Sequence, residues 1–447
     1  MSRHAIDASN YLVVRLFVDL AYVLLSPVFF VVLLVLSRGF TNPKFARGWA
    51  QKFGSVPKRE GDKPSFWVHA VSVGEVIVAQ PLIEDLRREF PEWDVSLSVS
   101  TVTGFDLAQK RFTGIDVFFA PVDFGPVVSR VFRRRRPTVV VLIELEMWPG
   151  FLLTSRAHGV PVYVVNGRIT EKSAGKYVWA GPLSRGLFGL VHACGVQTEE
   201  YARRFAEVGV PESRLAVLGN LKHDRKPSPD AADGEVIRQQ VGWHRGDEVV
   251  LVGGSTHPGE ESILCELYEA LGDDCPKLRL VIAPRHVERL TSSELPRWSA
   301  KSDLIRWSEV RSAASTRLGS RVLVVDSFGE LEKFYHLADV VFVGGTLVPH
   351  GGHNLFEAAQ LKRAILCGPH VQNFREEADL LFKSESAIQV ADAAELRDRA
   401  RELTFDASRR EKLAENAYAV TNSLRGARRR HLDWLSDQMR LFISTGD

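Results

Sequence analysis

The sequence predicts an α/β protein with two domains, each built on a parallel sheet. Past residue 60, short apolar runs of strand length alternate with amphipathic stretches of helix length, which is the pattern of parallel strands joined by crossover helices. This alternation breaks once, between residues 220 and 246, where the polar run Lys226-Pro227-Ser228-Pro229-Asp230 indicates a linker. A chain of 447 residues also exceeds the size of one ordinary core. We therefore expect an N-terminal segment at residues 1–40, a first domain at 41–225 and a second domain at 226–447.

Ten apolar runs have the length and composition of buried parallel strands. They are Phe66–Val71, Val95–Val99, Val117–Ala120, Val139–Ile143, Val160–Val165, Val249–Gly253, Leu278–Ala283, Val322–Val325, Val340–Val343 and Ala364–Cys367. Helical stretches such as Glu261–Leu271 and Asn354–Leu361 lie between them. Two doubly wound sheets of this kind are expected to face a cleft and to hold ligands at the carboxyl ends of their strands. A final helical stretch, about Ala407 to Ile443, is expected to reach back across that cleft.

The N-terminal segment is the most apolar part of the chain, because no residue from Leu20 to Ser37 is charged. These 18 residues are just long enough to span a hydrocarbon core of about 30 Å. Ser37-Arg38-Gly39-Phe40 offers no small-residue cleavage site, which argues against a secretory signal peptide, and a buried core helix is rarely this apolar. We therefore expect a membrane anchor helix or a membrane-embedded hairpin. The basic residues that follow it place the later domains in the cytoplasm.

The composition excludes several classes of protein. A formal net charge of +2 gives no argument for a nucleic-acid partner. The four cysteines, Cys194, Cys265, Cys275 and Cys367, form no C-x-x-C pair and do not lie beside histidines at zinc-ligand spacing. They indicate structural thiols in a reducing compartment. Since no convincing cluster of metal ligands is visible, we expect neither a metal nor a cofactor.

Three carboxylates follow two predicted strands of the first domain. Glu75 comes after the first strand, in the first turn of a predicted helix, where the helix dipole stabilises a negative charge. Glu144 and Glu146 follow the strand Val139–Ile143 and precede a Trp-Pro pair. Glu75 is either a general base for an acceptor hydroxyl or an acid that interacts only with its own helix. Glu144 and Glu146 are either part of a site or loop acids that accept hydrogen bonds from nearby backbone N–H groups.

Glycine-rich turns and an arginine follow strands of the second domain. The run Gly253-Gly254-Ser255-Thr256-His257 has glycines and a hydroxyl pair that can hold a phosphate, but it matches neither the P-loop nor the dinucleotide-binding motif. Arg285 suits either bidentate contact with a phosphate or a surface ion pair. After a turn with two Gly-Gly pairs, Asn354 and Glu357 have the spacing of a capping box. The carboxylate of Glu357 can also accept hydrogen bonds from both hydroxyls of a ribose.

Taken together, these motifs resemble those of the 3-deoxy-D-manno-octulosonic acid (Kdo) transferases, which are bacterial enzymes of lipopolysaccharide synthesis. The resemblance runs in order from the apolar segment to about Arg375, so it covers most of the chain. The runs that carry it are His69-Ala70-Val71-Ser72-Val73-Gly74-Glu75, Glu144-Leu145-Glu146-Met147-Trp148-Pro149, Asn166-Gly167-Arg168, Gly219-Asn220-Leu221-Lys222, Pro284-Arg285-His286, Phe328-Gly329-Glu330-Leu331 and Gly351-Gly352-His353-Asn354.

The resemblance implies a GT-B type glycosyltransferase fold, with two Rossmann-like domains on the cytoplasmic side of a single inner-membrane anchor. It implies CMP-Kdo as donor and a lipid A precursor as acceptor, in an inverting, metal-independent reaction beside inner-membrane lipids. The catalytic glutamate of the family falls on Glu75. Its CMP-contacting positions fall on Pro284, Arg285, Phe328, Gly329, Glu330, Asn354, Leu355, Phe356 and Glu357. Further candidate site residues are Ser255, Thr256, Lys222, Glu144 and Glu146.

The sequence departs from the family pattern at two places. The family's His-Asn-Pro-Leu-Glu is His353-Asn354-Leu355-Phe356-Glu357 here, so the acid keeps its place while the helix loses its opening proline. The family's Glu-Thr-Glu-Leu-Trp-Pro is Glu144-Leu145-Glu146-Met147-Trp148-Pro149 here, so the hydroxyl between the two acids is absent. Neither departure removes a proposed catalytic group.

The expected mechanism divides the reaction between the two domains. We expect Arg285 and backbone N–H groups of the glycine-rich turns to hold the donor phosphate, Glu357 to hold the ribose, and Glu75 to take the acceptor's proton. The run Arg133-Arg134-Arg135-Arg136 is either a solvated helix end or a site for anionic lipid headgroups or acceptor phosphates. Two other functions stay open: a transferase of this fold that moves a UDP-sugar to another lipid, and a non-catalytic, membrane-tethered nucleotide-sugar binder.

Overall fold

The computed structural model describes residues 16, 18–20, 22–24, 47–224, 231–243, 248–272, 274–290, 304–312 and 320–445. These residues form two compact units. Unit 1 holds the described residues up to Asp224 together with those from Arg425 onward, and unit 2 holds those between. Most of the predicted anchor, from Leu20 to Ser37, lies outside the described residues. None of the described helices combines the length and the hydropathy that a transmembrane span requires.

Unit 1 contains a seven-stranded parallel sheet. Its strands are β1 Ser65–Ala70, β2 Asp94–Val99, β3 Asp116–Phe119, β4 Val139–Ile143, β5 Val162–Gly167, β6 Ala193–Val196 and β7 Leu215–Val217. Eight of its helices are α1 Trp49–Lys52, α2 Val73–Glu89, α3 Val102–Arg111, α4 Gly125–Arg135, α5 Pro149–Ala157, α6 Glu171–Trp179, α7 Pro182–Phe188 and α8 Glu199–Val208. The strand order is β3-β2-β1-β4-β5-β6-β7, so the direction of winding reverses between β1 and β4. Sheets of this kind bind ligands at the carboxyl ends of the strands that flank such a reversal.

Unit 2 contains a second seven-stranded parallel sheet. Its strands are β8 Val249–Thr256, β9 Leu278–Pro284, β10 Leu304–Arg306, β11 Val322–Val324, β12 Val340–Val343, β13 Ala364–Cys367 and β14 Ile388–Gln389. Its helices are α9 Ala231–Val241, α10 Glu260–Gly272, α11 Trp307–Arg311, α12 Leu331–Leu337, α13 Phe356–Gln360, α14 Arg375–Lys383, α15 Ala393–Phe405 and α16 Ala407–Ser423. The order is β10-β11-β9-β8-β12-β13-β14, which reverses between β8 and β12.

Both faces of each sheet are covered, which explains why the strands read as continuous apolar runs. Every residue of β1 is buried. Its neighbours Phe66 and Trp67 are both 0% exposed, yet Phe66 packs in one hydrophobic cluster and Trp67 in another. Successive side chains of a strand point to opposite faces, so each of these clusters lies on its own side of the sheet. Helices must therefore cover both sides, as parallel sheets require.

The ten strands expected from the apolar runs are all present, with small shifts at their ends. The α/β class with two parallel sheets is therefore confirmed. Four further strands, β6, β7, β10 and β14, were not expected. They have four, three, three and two residues respectively, and their sequences, Ala-Cys-Gly-Val, Leu-Ala-Val, Leu-Ile-Arg and Ile-Gln, contain small or polar residues that interrupt an apolar run. Three of them are edge strands, where one neighbour is missing and less burial is needed.

The final helical stretch differs from the expected single helix. It consists of α16, which belongs to unit 2, and α17 Ala427–Thr445, which belongs to unit 1. Gly426 interrupts the two helices with a left-handed φ of 89°. The carboxylate of Asp224 then accepts hydrogen bonds from the N–H of Gly426, at 2.5 Å, and from the N–H of Arg428. Such a cap satisfies N–H groups that a helix start leaves unpaired, so α17 begins there as a separate helix.

We predict that Asp224→Ala destabilises unit 1, because it removes this cap from the start of α17. The expected loss in the free energy of unfolding is about 0.5–2 kcal/mol, measured by chemical denaturation. Asp433→Ala is the matched control, since Asp433 makes only an exposed pair with Arg429 on the same helix. Equal losses in the two variants would contradict the assigned role of Asp224.

Candidate active site

Four charged side chains predicted from the sequence come together at the carboxyl edge of the sheet in unit 1. Glu75 lies in the first turn of α2, directly after β1, and Glu144 and Glu146 follow the adjacent strand β4. Lys222 enters from the 3₁₀ turn Leu221–Asp224, and its Nζ lies 2.9 Å from Oε1 of Glu144. The group therefore lies where the winding of this sheet reverses, which is the expected position of a ligand site.

Glu75 is held in one direction by the turn that precedes it. Its Oε2 accepts a hydrogen bond from the Val71 N–H at 2.7 Å, and its Oε1 accepts one from the Ser72 hydroxyl at 3.1 Å. Burial raises the pKa of this carboxyl group, the Val71 N–H lowers it, and the nearby Glu144 raises it again. Each carboxylate oxygen has a second lone pair, so Glu75 can still accept a proton from a bound hydroxyl.

Glu144 adopts a backbone conformation that is unusual for its residue type. Its φ is +63°, in the left-handed region, which costs a non-glycine residue roughly 1–2 kcal/mol. Strain of this kind is concentrated at functional sites. The turned backbone brings Glu144 within 2.9 Å of Lys222, and the two charges act in opposite directions on Glu75. Glu144 raises the pKa of Glu75, whereas Lys222 lowers it.

Glu146 is the carboxylate of this group whose proton affinity is most altered. Burial raises its pKa to about 7, with further increases from Glu75 and Glu144. The indole Nε1–H of Trp148 donates to Oε2 of Glu146 at 2.7 Å and lowers the pKa. The ring of Trp148 is itself half-exposed, at 50%. Near neutral pH this carboxyl group is therefore divided between its charged and neutral forms.

The segment that carries Lys222 is fixed from two sides. The buried Asn166, with a left-handed φ of 58°, accepts a hydrogen bond from the Leu221 N–H through Oδ1 at 2.9 Å. The buried His431 of α17 lies with Nε2 at 3.1 Å from the carbonyl oxygen of Gly219, so this nitrogen carries the proton. Sequence reasoning had quoted Asn166 within a motif. It missed His431, which lies 212 residues from its partner and carries no local signal.

In unit 2, Pro284 and Arg285 occupy the end of β9 and the position after it. The Arg285 side chain is exposed, and its backbone N–H donates to the Thr256 carbonyl oxygen at 3.0 Å. That bond ties the ends of β8 and β9 together. Arg285 therefore points out from a fixed backbone at the edge where unit 2 is expected to bind its ligand.

Phe328, Gly329 and Glu330 lie between β11 and α12 and differ in their exposure. The Phe328 ring is 79% exposed, which suits stacking against a nucleotide base. Gly329 has a positive φ of 84°. The Glu330 carboxylate accepts hydrogen bonds from the Trp307 indole, at 3.1 Å, and from the Ser327 hydroxyl. Glu330 therefore fixes this turn, while Phe328 is presented to solvent.

The four residues from Asn354 to Glu357 have separate roles in the structure. Helix α13 begins at Phe356, and Oδ1 of Asn354 accepts the Phe356 N–H at 3.0 Å, so the side chain spans two residues instead of the three of a capping box. Leu355 and Phe356 are buried in the core of unit 2. Glu357 lies near Tyr335, whose pKa is raised by burial first and then by this charge.

Thr256 and Ser255 end β8, and both are largely buried. The Thr256 hydroxyl donates to Oε1 of Glu261 at 3.1 Å, and the guanidinium of Arg289 donates to the same oxygen at 2.9 Å. Ser255 has a positive φ of 55°. The hydroxyl of Thr256 therefore already has an acceptor within the protein, which does not favour its predicted contact with a phosphate.

The glycine-rich turn after β12 binds a carboxylate of the protein itself. Oε2 of the fully buried Glu260 accepts the N–H groups of His257 at 2.9 Å and Gly345 at 2.7 Å. Oε1 accepts those of Thr346 at 3.1 Å and Leu347 at 3.0 Å. The expectation that backbone N–H groups of this turn hold the donor phosphate is therefore wrong for Gly345, Thr346 and Leu347. The sequence places Glu260 only at the acidic start of α10.

Four histidines lie at the same edge of unit 2, and sequence reasoning had not assigned them. Nε2 of His257 lies 3.0 Å from Nε2 of His353, and the His350 ring stacks on His257 with centroids 4.0 Å apart. The His286 ring lies edge-on to His257 at 5.9 Å. Burial, together with smaller contributions from neighbouring groups, lowers the pKa of His257 and of His353 to about 4. Among the described residues, no three or more His, Cys, Asp or Glu side chains are arranged as a metal site.

The arginine run at the end of α4 binds chain segments within unit 1. The Arg134 side chain donates to the carbonyl oxygen of residue 56 at 2.6 Å, and Arg135 donates to that of residue 57 at 3.0 Å. Arg136 donates to the carbonyl oxygen of residue 61 at 2.5 Å. Arg133 donates to the Ser129 hydroxyl at 2.9 Å. The run therefore fastens the segment before β1 to α4, a role that neither sequence interpretation included.

Comparison with known proteins identifies relatives along most of the chain. Residues 47–225 match the family model described as 3-deoxy-D-manno-octulosonic-acid transferase (kdotransferase). A 3-deoxy-D-manno-octulosonic acid transferase of Bordetella pertussis is 32% identical over 83% of this chain and 86% of its own length. One of Haemophilus influenzae is 28% identical over 88% of this chain and 92% of its own length. A crystal structure of a glycosyltransferase from Rickettsia africae, 10% identical, covers 86% of this chain and 99% of its own with a TM-score of 0.52, which indicates a shared fold.

We predict that Glu146→Gln stabilises unit 1 at alkaline pH and has little effect at pH 5. Because the folded pKa of Glu146 is about 7, above the unfolded value near 4.3, stability falls as pH rises between those values. The glutamine side chain of the variant does not titrate, so it contributes no such fall in stability. Its melting temperature should therefore exceed that of the wild type at pH 8, with the difference shrinking towards pH 5. The exposed Glu92→Gln is the control, and a difference independent of pH would refute the assignment.

Proposed function

This chain belongs to the 3-deoxy-D-manno-octulosonic acid transferase family, and we propose that it transfers Kdo from CMP-Kdo to a lipid A precursor with inversion. Membership of the family makes the chain a glycosyltransferase. The observation that carries the finer proposal is Glu75, a partly buried carboxylate fixed by Val71 and Ser72 at the winding reversal of unit 1. A base must be held in one direction and have a suitable proton affinity, and Glu75 meets both conditions.

In the proposed reaction, Glu75 takes the proton from a sugar hydroxyl of the acceptor. The hydroxyl oxygen forms a bond to the anomeric carbon of Kdo, while the bond from that carbon to the phosphate oxygen of CMP breaks. CMP leaves with the electron pair of the broken bond, and the configuration at the anomeric carbon inverts. The raised pKa of Glu75 supports this role, because a carboxylate with a pKa closer to neutrality removes a proton more effectively.

Charged neighbours of Glu75 change the proton affinity of its carboxyl group. Glu144 favours the protonated form of Glu75 and Lys222 favours the ionised form. Glu146 shares the same edge and is itself partly protonated near neutral pH. We propose that this balance keeps Glu75 ionised when the acceptor binds and lets it hold the transferred proton afterwards.

Unit 2 is proposed to bind the donor. The exposed guanidinium of Arg285 suits the phosphate, whose developing charge must be stabilised as CMP leaves. The exposed ring of Phe328 suits the cytosine base, and the carboxylate of Glu357 suits the ribose hydroxyls. Fixed cationic side chains can stabilise a monophosphate leaving group, so the proposal needs no metal ion.

We propose that the enzyme works at the cytoplasmic face of the inner membrane, where a lipid acceptor and membrane lipids are at hand. The described helical residues just before the uncharged run and at its start support this. Asp19 accepts the Gly125 N–H at 3.1 Å, and Val18 packs in a cluster with Leu153 and Leu187, so this helix is attached to unit 1. On the same helix Leu16, Leu20 and Leu24 are 61%, 57% and 68% exposed. An exposed apolar row next to an uncharged run suits a membrane surface.

We predict that Glu75→Gln lowers turnover by about 10²–10⁴, because the amide cannot accept the acceptor's proton. The measurement is product formation in detergent from CMP-Kdo and a tetra-acylated lipid A precursor. The exposed Glu84→Gln on the same helix is the control and should keep wild-type turnover. If Glu75→Gln is as active as the wild type, the assignment of the base is wrong.

We also predict that CMP, and not UDP, protects the protein against heat. A ligand at about 100 times its Kd stabilises the native state by about 2.7 kcal/mol, which a thermal shift detects. Phe328→Ala should weaken CMP binding roughly tenfold, since base stacking contributes about 1–3 kcal/mol. Equal protection by UDP would favour a UDP-sugar as donor instead.

A further inference from the structure

The histidines His257, His350 and His353 lie at the winding reversal of unit 2. His257 follows β8 directly, and His350 and His353 lie in the segment between β12 and α13. These two strands are the pair between which the order of the second sheet reverses. Ligands of doubly wound sheets bind at that point. The location is therefore the ligand edge of unit 2, and it is independent of any assumption about what the histidines do.

The first four N–H groups of the glycine-rich turn are already bonded within the protein. The N–H groups of Gly345, Thr346 and Leu347 all donate to Glu260. The N–H of Gly344 donates to the Gly254 carbonyl oxygen at 2.8 Å. In many nucleotide-binding folds such turns hold the phosphate through their own N–H groups. A bound anion therefore takes no hydrogen bonds from these four N–H groups, whereas the side chains beside them can supply donors.

The histidine side chains form a compact group that reaches solvent mainly at His350. His257 is 7% exposed and lies beneath the exposed His350, on whose ring it stacks at 4.0 Å. Nε2 of His257 and Nε2 of His353 are 3.0 Å apart. Two ring nitrogens at that distance form a hydrogen bond only when one carries a proton and the other does not. The pair therefore holds a single proton between its two facing nitrogens.

The surroundings of the pair oppose a second proton. Arg285 faces His353, Arg289 faces His257, and His286 faces both. The nearby carboxylates have other partners. Glu260 accepts hydrogen bonds from four backbone N–H groups. Glu261 accepts hydrogen bonds from the Arg289 guanidinium and the Thr256 hydroxyl. Glu288 lies with Oε1 at 3.1 Å from Nδ1 of His286. Burial, with smaller contributions from neighbouring groups, lowers the pKa of His257 and His353 to about 4. These two side chains are therefore neutral near pH 7, and a bound anion would favour their protonated forms.

We propose that His257, His350 and His353 recognise the negatively charged part of the donor, and that the cluster takes up a proton when that anion binds. The inference rests on the proposed function and makes it more specific. The proposed donor carries a phosphodiester and a sugar carboxylate, so a cluster that becomes cationic favours an acidic sugar over a neutral one. An opposite charge within about 4–6 Å raises the pKa of an imidazole by about 1–3. Binding should therefore strengthen as pH falls from neutrality towards 5.

The test is calorimetric titration of the full chain with the methyl ester of CMP. This probe is a phosphodiester with one fixed negative charge, so its own phosphate does not titrate in the range used. We expect about tenfold tighter binding at pH 5.5 than at pH 7.5. Titrations in buffers of different ionisation enthalpy should show uptake of up to one proton per bound probe. Cytidine, which lacks the phosphate, should bind with little pH dependence and controls for titration of the base.

Two variants test the residues themselves. His353→Gln and His257→Asn keep a hydrogen-bonding side chain but cannot take up a proton in this range. Both should lose the increase in probe affinity between pH 7.5 and pH 5.5, whatever their affinity at pH 7.5. His336→Gln, on helix α12 of the same unit, is the matched control and should keep the full increase. Retained cytidine binding establishes that a variant is folded.

The outcomes separate this inference from the proposed function. Wild-type affinity that does not change with pH, or an unchanged pH dependence in both variants, overturns the inference even if Kdo transfer is observed. Absence of probe binding together with absence of Kdo transfer overturns the proposed function and the inference with it. Proton uptake that is lost in the variants, in an enzyme that transfers Kdo, supports both.

Discussion

The edge of unit 2 at the carboxyl ends of its strands depends on the hydrogen bonds that the buried carboxylate of Glu260 accepts from backbone N–H groups. Glu260 is fully buried, and the N–H groups of four residues on two segments take the place of solvent. A buried charge without such partners costs several kcal/mol, so the two segments are held at one separation. The turn also has no room for a larger residue, because a Cβ on Gly344 would lie 2.4 Å from the Ser255 carbonyl oxygen. The glycines thus allow the ends of the neighbouring strands to approach each other closely.

The carboxylates of unit 1 differ in how many backbone N–H groups donate hydrogen bonds to them. Asp123 accepts the N–H groups of Gly150 and Phe151 at the start of α5, and Asp224 accepts two at the start of α17. Glu75 accepts only one backbone N–H, from Val71, and stays half-buried among other charges. Burial raises the pKa of both Asp123 and Glu75, so proton affinity alone does not distinguish them. Asp123 and Asp224 each hold the start of a helix, whereas Glu75 keeps lone pairs that can accept a proton from a bound hydroxyl.

Sequence patterns predicted the parts of the fold and site that depend on neighbours along the chain. Buried strands such as β4 were visible as apolar runs, and Glu75 was placed correctly in the first turn of α2. Contacts over long separations were not visible. Glu260 and Gly345 are 85 residues apart, and His257 and His353 are 96 apart, so no local pattern links them. The break between α16 and α17 depends on Asp224, about 200 residues earlier, and was missed for the same reason.

The hydrogen bond between Asp224 and Gly426 joins the two points at which the chain leaves unit 1 and re-enters it. The chain leaves unit 1 after Asp224 and re-enters it at Arg425, and at 2.5 Å the two points of passage touch. From the side of unit 1, the whole of unit 2 is an insertion whose ends are already closed. Loop-closure entropy changes slowly with length, so such an insertion site tolerates replacement of its contents. A short linker across this point would leave unit 1 contiguous, and different second units could be exchanged there as cassettes.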